Sequence, residues 1–141
     1  MEPRINIVTL GVKNLDSAIR FYKDGLGWTM SILSGGDFAM FKINTGIALA
    51  LYPRHLLAED AQVKDGGGFG GITLAQNVSS REAVNRALSQ AVEAGGKLLK
   101  AARDTEWGGY SGYFADPDGH PWEVAWAPVF ELQEGKLILP D

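Results

Sequence analysis

Cysteine is absent from this 141-residue chain, and histidine occurs only twice. Without a thiol, the chain can form no disulfide, thiolate nucleophile or cysteine-based zinc site. No stretch approaches the roughly 20 consecutive apolar residues that a membrane-spanning helix needs. The first residues also lack the basic segment and apolar run of a signal peptide. We therefore expect a cytoplasmic protein that has no membrane partner.

The sequence also lacks a stripe rich in lysine and arginine. It has 13 basic and 17 acidic residues, and its formal net charge is −4. This balance argues against nucleic-acid partners. The length is that of one ordinary domain, and a hydrophobic fraction of 45% is sufficient for a buried core.

One order of elements, β-α-β-β-β, is predicted twice along the chain. β-branched and aromatic runs bounded by glycine and asparagine predict strands, and apolar residues at helical spacing predict helices. In the first half these are a strand at 5–12, a helix at 14–25 and strands at 28–34, 37–43 and 47–53. In the second half they are a strand at 69–78, a helix at 79–94 and strands at 97–103, 108–115 and 121–127. Ser79 and Glu82 have the spacing of a capping box at the start of the second helix.

This repeat predicts the α+β fold class and a single domain, residues 1–141, made of two modules. Module one spans about 4–53 and module two about 69–128. A glycine-rich connector, about 54–68, joins them and includes a short helical turn around 56–60. The extension 129–141 either turns a hairpin at Glu134–Gly135 or packs on a second subunit.

Three predicted strands have one face of large side chains and one face of small side chains. The small faces carry Ala48, Ala50 and Tyr52; Gly71, Thr73 and Ala75; and Pro121, Glu123, Ala125 and Ala127. If these faces converge, they leave a cavity with a few polar groups such as Thr9, Thr73 and Glu123, typical of a small-molecule site. The alternative is a sheet surface that faces solvent.

Three side chains are candidates for direct contact with a ligand. Glu123 is suited to act as a general base or as a hydrogen-bond acceptor, and the alternative is a carboxylate paired with an arginine or tyrosine. Trp107 and Tyr110 lie on a glycine-rich approach to the last strands, where aromatic rings suit a flanking role. Core packing is the alternative for both rings.

Two stretches, VTLGVKNLDSAIRFYKDGLGW in the first half and GGYSGYFADPDGHPWEVAW in the second, carry a family resemblance. Together with the repeated units, the chain resembles the vicinal oxygen chelate superfamily, which includes glyoxalase I, bleomycin-resistance proteins and extradiol dioxygenases. The resemblance implies two tandem βαβββ modules whose eight strands form a curved, half-open barrel around a central cavity. It also implies a homodimer.

The same resemblance implies a divalent metal held by one residue from the first strand and one from the last strand of each module. The matching positions here are Ile7, Ala50, Gly71 and Glu123. Because such sites need three or more protein ligands, one carboxylate predicts that the family metal site is absent. The two histidines, His55 and His120, lie in the connector and in the Asp-Pro-Asp-Gly turn.

These observations favour a protein that binds an unidentified small molecule between its modules, with no cofactor and no metal. The predicted ligand-binding residues are Thr9, Ala50, Tyr52, Gly71, Thr73, Trp107, Tyr110 and Glu123. A metal-independent lyase or isomerase that uses Glu123 as its acid or base is the second hypothesis. A structural dimer without a ligand is the third.

Overall fold

The computed structural model describes residues 1, 3–44, 46–70 and 72–139, and the chain forms two compact units, Met1–Gly70 and Gly71–Asp141. The first contains strands β1 (Ile7–Val12), β2 (Ala39–Asn44) and β3 (Ile47–Pro53) and helices α1 (Leu15–Ile19) and α2 (Arg54–Asp60). The second contains strands β4 (Leu74–Asn77), β5 (Lys97–Asp104), β6 (Tyr110–Ala115) and β7 (Pro121–Trp126), helix α3 (Arg81–Glu93), and strands β8 (Glu131–Gln133) and β9 (Lys136–Ile138).

The first unit is a three-stranded sheet in the order β1-β3-β2. β1 runs parallel to β3, and β2 runs antiparallel to it. Asn14 caps α1 by accepting a hydrogen bond from the Ser17 amide at 2.8 Å, and α1 continues into a π-helical turn over 20–25. That turn buries Phe21 and Tyr22, and the centroid of the Tyr22 ring lies 6.0 Å from that of Phe41 on β2, so the turn packs an aromatic ring against this sheet.

The strand expected at 28–34 does not form. Within the described residues this segment contributes one isolated bridge, between Met30 and Phe41. The segment still exchanges backbone hydrogen bonds with β2, from the Ser31 amide to the Met40 carbonyl at 2.7 Å and from the Lys42 amide to the Thr29 carbonyl at 3.1 Å. The serine hydroxyls take other amides: Ser31 accepts from the Leu33 amide at 3.2 Å and Ser34 accepts from the Met40 amide at 2.9 Å. Side-chain bonds of this kind compete with a strand ladder, so the pairing does not extend into a regular strand.

The second unit follows the expected order β-α-β-β-β. Its four main strands form one sheet in the order β4-β7-β6-β5, with β4 parallel to β7 and the other pairs antiparallel. The capping-box prediction is wrong by one residue, since Ser80 rather than Ser79 accepts from the Ala83 amide at 3.0 Å. The predicted strand at 69–78 is reduced to four residues, 74–77.

Helix α3 covers one face of this sheet. Its buried side chains are Val84, Leu88 and Ala91. A Cβ atom built on Gly112 of β6 would lie 2.6 Å from Leu88 Cδ1, so the glycine allows the helix to approach closely. The position of α3 leaves the side chains of the opposite face directed away from the helix.

Two turns behave as the sequence predicts. Asp116 Oδ1 accepts from the amides of Asp118 and His120 at 3.0 and 2.9 Å, which fixes the turn between β6 and β7. Glu134 and Gly135 both have positive φ, and they join β8 to β9 in the hairpin that was one of the two expectations for the extension.

The fold is therefore a mixture of helices and sheets, as predicted. None of the helices in the described part of the chain has the length and hydrophobicity that crossing a bilayer requires. The eight-stranded, half-open barrel remains a prediction.

Candidate functional site

Glu123 lies in the middle of β7, between two neighbouring strands of the same sheet. Its register partner on β6 is Tyr113, and its partner on β4 is Ala75. Glu123 and Tyr113 are half-buried, whereas Ala75 is exposed. The sheet therefore presents a carboxylate beside a phenol on one side and a small side chain on the other.

These side chains lie on the face opposite α3. Tyr113 lies between Gly112 and Phe114 on β6. Because strand side chains alternate, these two neighbours point to the other face. Gly112 contacts the helix residue Leu88, and Phe114 stacks on Trp122 with ring centroids 6.1 Å apart. The bulky residues thus lie on the side of the helix, which leaves Glu123 and Tyr113 on the face that α3 does not cover.

Tyr113 and Glu123 are coupled electrostatically. Burial raises the pKa of the Tyr113 hydroxyl above its ordinary value, and the negative charge of Glu123 and a side-chain hydrogen bond to it raise that pKa further. The phenol therefore keeps its proton to a higher pH than an ordinary tyrosine does, and it donates to the carboxylate. A donor and an acceptor held side by side are suited to bind a polar group of a small molecule.

Strand β5 adds cations to the same face. Lys100 is the register partner of Tyr113, and its Nζ lies 5.9 Å from the centroid of the Tyr113 ring. Lys97 pairs with Ala115 and Arg103 pairs with Ser111. Because paired residues share a face, three basic side chains of this edge strand lie on the side of Glu123.

The first-unit candidates lie on the β1–β3 pair. Thr9 and Ala50 are register partners, and Tyr52 pairs with Gly11. Thr9 is exposed, Tyr52 is half-buried, and Ala50 is completely buried. The sheet thus brings Thr9 next to Ala50, while Tyr52 lies two residues further along β3.

Two second-unit candidates, Thr73 and Trp107, lie outside the strands. Thr73 is exposed and directly precedes β4. Trp107 is 51% exposed, and its ring centroid lies 5.8 Å from that of Phe130. Gly71 lies outside the described residues.

Tyr110 belongs to the helix-covered face. It pairs with Trp126, and its hydroxyl donates to Asn85 Oδ1 on α3 at 3.0 Å. Arg81 lies over both rings, 5.0 Å from the centroid of Tyr110 and 5.2 Å from that of Trp126, and it forms an ion pair with Asp104. The sheet therefore separates Tyr110 from Glu123.

Tyr113 and Lys100 were not among the residues expected from the sequence. A signal for Tyr113 was nevertheless present, because Ala115 and Pro121 flank the five-residue turn at 116–120 and are register partners. Counting back from that turn pairs Tyr113 with Glu123. No such count leads to Lys100, since β5 has register shifts between Leu98 and Lys100 and between Lys100 and Arg103.

Two cavities lie elsewhere in the units. One, of about 430 Å³, lies between α3 and β5 and is lined by Leu88, Val92 and Leu98 among others. The other, of about 510 Å³, lies between α2 and the glycine-rich segment 66–70. Neither of these two cavities includes Glu123, and the Glu123 face is distinguished by its polar groups.

Among the described residues, no group of three or more His, Cys, Asp or Glu side chains lies close enough to hold a metal ion. Glu123 has two register partners, Ala75 and Tyr113, and neither adds a carboxylate or an imidazole. Ile7 and Ala50 have hydrocarbon side chains.

The sheet topology and the Glu123 strand correspond to a known family. A family model described as the glyoxalase/bleomycin resistance protein/dioxygenase superfamily matches residues 4–124. The chain belongs to this superfamily, which confirms the resemblance seen in its sequence. No curated protein matches the chain.

Solved structures agree with this assignment. A glyoxalase-related enzyme from Fulvimarina pelagi is 33% identical with a TM-score of 0.90, and the match covers 99% of this chain and 100% of that one. A glyoxalase/bleomycin resistance protein/dioxygenase from Nocardioides is 26% identical with a TM-score of 0.73 over 100% and 91% of the two chains. A lactoylglutathione lyase from Agrobacterium tumefaciens, 21% identical with a TM-score of 0.66 over 89% and 94%, shares the fold.

Proposed function

We propose that this protein binds a small molecule at the Glu123 face of its second unit and that it does so without a divalent metal. The observation that carries the proposal is the position of the half-buried Glu123 on the face opposite α3, next to the exposed methyl group of Ala75 on β4. Pairing with a tyrosine was the expected alternative role for this carboxylate, and Tyr113 is that partner. One hydroxyl occupies only one acceptor position of a carboxylate, so Glu123 keeps acceptor capacity for a polar ligand group.

Access to the carboxylate supports the proposal. Ala75, the partner of Glu123 on β4, is exposed and has only a methyl side chain. A ligand can therefore reach Glu123 across the β4 side of the sheet without displacing a large residue. On the β6 side, the Tyr113 ring offers a flat apolar surface of the kind that ligand sites commonly use.

The donor set argues against a metal at this face. The side chains at the family metal positions that the structure describes are one carboxylate, Glu123, and the hydrocarbons of Ile7 and Ala50. A divalent ion in a protein is held by three or more ligands. These residues do not fit the family ion, so the proposed binding relies on Glu123 and Tyr113 themselves.

A thermal-shift screen of a small-molecule library tests the proposal. Compounds that raise the melting temperature of the wild type are measured again with Glu123→Gln and with Glu59→Gln, an exposed glutamate of α2. We expect the Glu123 variant to lose the shift and the Glu59 variant to keep it. A library without any stabilising compound would instead support a structural protein without a ligand.

A second candidate function is a metal-independent lyase or isomerase of the same family. The observation that favours it is the 33% identity to a glyoxalase-related enzyme across nearly the whole chain. In this case Glu123 removes or returns a proton of the substrate, and the Tyr113 hydroxyl donates to the carboxylate and holds it in place. Cleavage of S-lactoylglutathione by the purified, chelator-treated protein is the first assay, and Glu123→Gln should abolish turnover while binding persists.

The proposed assembly is a homodimer, as the family resemblance implies. Light scattering of the purified protein at several concentrations tests this directly. A mass of one chain at all concentrations would contradict the proposed dimer without affecting the proposed ligand.

A further inference from the structure

We infer that the molecule bound at the Glu123 face is a small zwitterion, whose ammonium group binds Glu123 and whose carboxylate or other anionic group binds the β5 side of the sheet. This inference rests on the proposed function and specifies its ligand class. The supporting observation is the arrangement of charged residues across the three adjacent strands β7, β6 and β5.

The three strands place an acid, a phenol and a base in one row. Glu123 on β7 is opposite Tyr113 on β6, and Tyr113 is opposite Lys100 on β5. Adjacent strands are about 4.8 Å apart, so the backbones that carry the two charges are separated by about 9.5 Å. Measured between backbones, the row therefore has the length of a small molecule.

The two ends of the row differ in sign. β5 brings Lys97, Lys100 and Arg103 to this face, because they pair with Ala115, Tyr113 and Ser111. β7 brings Glu123 as its acidic residue. An anionic group is attracted to the β5 end and repelled at the β7 end. The face therefore orients a molecule that carries both charges and discriminates against one that carries a single charge.

The centre of the row suits an uncharged linker. The Tyr113 ring lies between the two charged ends, and Lys100 Nζ lies 5.9 Å from its centroid. An aliphatic or aromatic chain can pack on such a ring while its ends reach the charges. The Tyr113 hydroxyl, which already donates to Glu123, also fixes the carboxylate that receives the ammonium group.

A series of ω-amino acids of increasing chain length tests this inference, with the matching alkylamines and alkyl carboxylates as single-charge probes. Binding to the full-length protein is measured by calorimetry and by amide chemical shifts of β5, β6 and β7. We expect one intermediate ω-amino acid to bind at least tenfold more tightly than either single-charge probe of equal length, and to shift all three strands.

Two variants separate the ends. Glu123→Gln should weaken the best ω-amino acid at least tenfold and the alkyl carboxylate little. Lys100→Met should weaken the ω-amino acid and the alkyl carboxylate but not the alkylamine. The matched controls are Glu59→Gln on α2 and Lys42→Met, since Lys42 is an exposed lysine on β2, an edge strand of the first sheet. Neither control should change any affinity.

The outcomes distinguish this inference from the proposed function. If library compounds bind at Glu123 but alkylamines bind as tightly as ω-amino acids, the ligand site stands and the zwitterion is wrong. If Lys100→Met leaves every affinity unchanged and instead promotes aggregation, the β5 cations protect an exposed sheet edge and the inference is overturned. If no compound of any class binds, the proposed function fails as well.

Discussion

Tyr113 and Glu123 face each other across the β6–β7 pair, with the phenol donating to the carboxylate on the sheet face that α3 leaves uncovered. The pair joins the only carboxylate at the described family metal positions to a hydroxyl that the sequence did not draw attention to. The first prediction concerns the pKa of this hydroxyl.

Replacing Glu123 by Gln should lower the pKa of Tyr113. In the wild type that pKa is raised above 10.0, first by burial and then by the charge and hydrogen bond of Glu123. The variant removes the charge but not the burial, so we expect the pKa to fall only part of the way. Titration of the tyrosine Cζ resonances measures it, and a pKa of Tyr113 unchanged by the substitution would contradict the pairing.

The raised pKa of Tyr113 also predicts how the stability of the protein changes at alkaline pH. Because the folded protein keeps the Tyr113 proton at a pH where the unfolded chain loses it, the contribution is fully present below pH 10.0 and is lost as pH rises through the folded-state pKa. Denaturant unfolding between pH 9 and 11 should therefore show a smaller loss for Tyr113→Phe than for the wild type. Equal losses in both proteins would contradict the shift.

Gly112→Ala should destabilise the second unit. The added Cβ would lie 2.6 Å from Leu88 Cδ1 and 2.8 Å from the Lys100 carbonyl oxygen, and overpacking of this kind typically costs about 1–3 kcal/mol. Gly35→Ala is the matched control because its Cβ meets nothing within 4 Å. Urea unfolding compares the two, and equal free energies of unfolding would show that α3 does not pack on Gly112.

Ser80→Ala should cost about 1 kcal/mol, the usual loss for an N-cap side chain. Ser80 accepts from the Ala83 amide at 3.0 Å at the start of α3. Ser79→Ala is the control, since the exposed Ser79 precedes the cap. A larger loss for Ser79→Ala would restore the capping box that the sequence suggested.

Asp65→Asn should loosen the glycine-rich connector. Arg54 donates to both carboxylate oxygens of Asp65, at 2.6 and 2.8 Å, and the Gly67 amide donates to one of them at 3.2 Å. The Arg54 hydrogen bonds are the main cause that lowers the pKa of Asp65 from 3.8 to about 2. We expect faster chymotrypsin cleavage after the exposed Phe69 in the variant at neutral pH.

The Arg54–Asp65 ion pair should also weaken at low pH. Since the folded-state pKa of Asp65 is depressed, its contribution is present above pH 3.8 and is lost as pH falls towards about 2. Cleavage at Phe69 by an acid protease should therefore accelerate over that interval in the wild type and stay constant in Asp65→Asn. A constant rate in both proteins would exclude the ion pair as a restraint.

Much of the fold follows from local patterns in the sequence. Glycine at 95 and 96 ends α3, and the Asp-Pro-Asp-Gly turn aligns β6 with β7, as expected from turn and cap chemistry. The segment 28–34 was mispredicted because its composition favours a strand while its two serine hydroxyls bind the backbone amides. The composition of a segment shows its preference for a strand, but it does not show which backbone amides its serine hydroxyls will bind.

The site was harder to predict than the fold. Glu123 is conspicuous as a lone carboxylate among apolar residues, whereas Tyr113 and Lys100 become its neighbours only through strand register. Tyr110 has the same residue type as Tyr113, yet it packs against α3. A shift of one residue in strand register moves every side chain to the opposite face of the sheet. The sequence alone therefore does not show which of the two tyrosines lies next to Glu123.

Calorimetric titration of the best screening compound into chelator-treated protein, repeated after addition of Zn²⁺ or Ni²⁺, tests directly whether the Glu123 face binds its ligand without a metal. We expect equal affinities with and without metal, and a loss of at least tenfold in Glu123→Gln. Binding that appears only when metal is restored would show that the site depends on the ion.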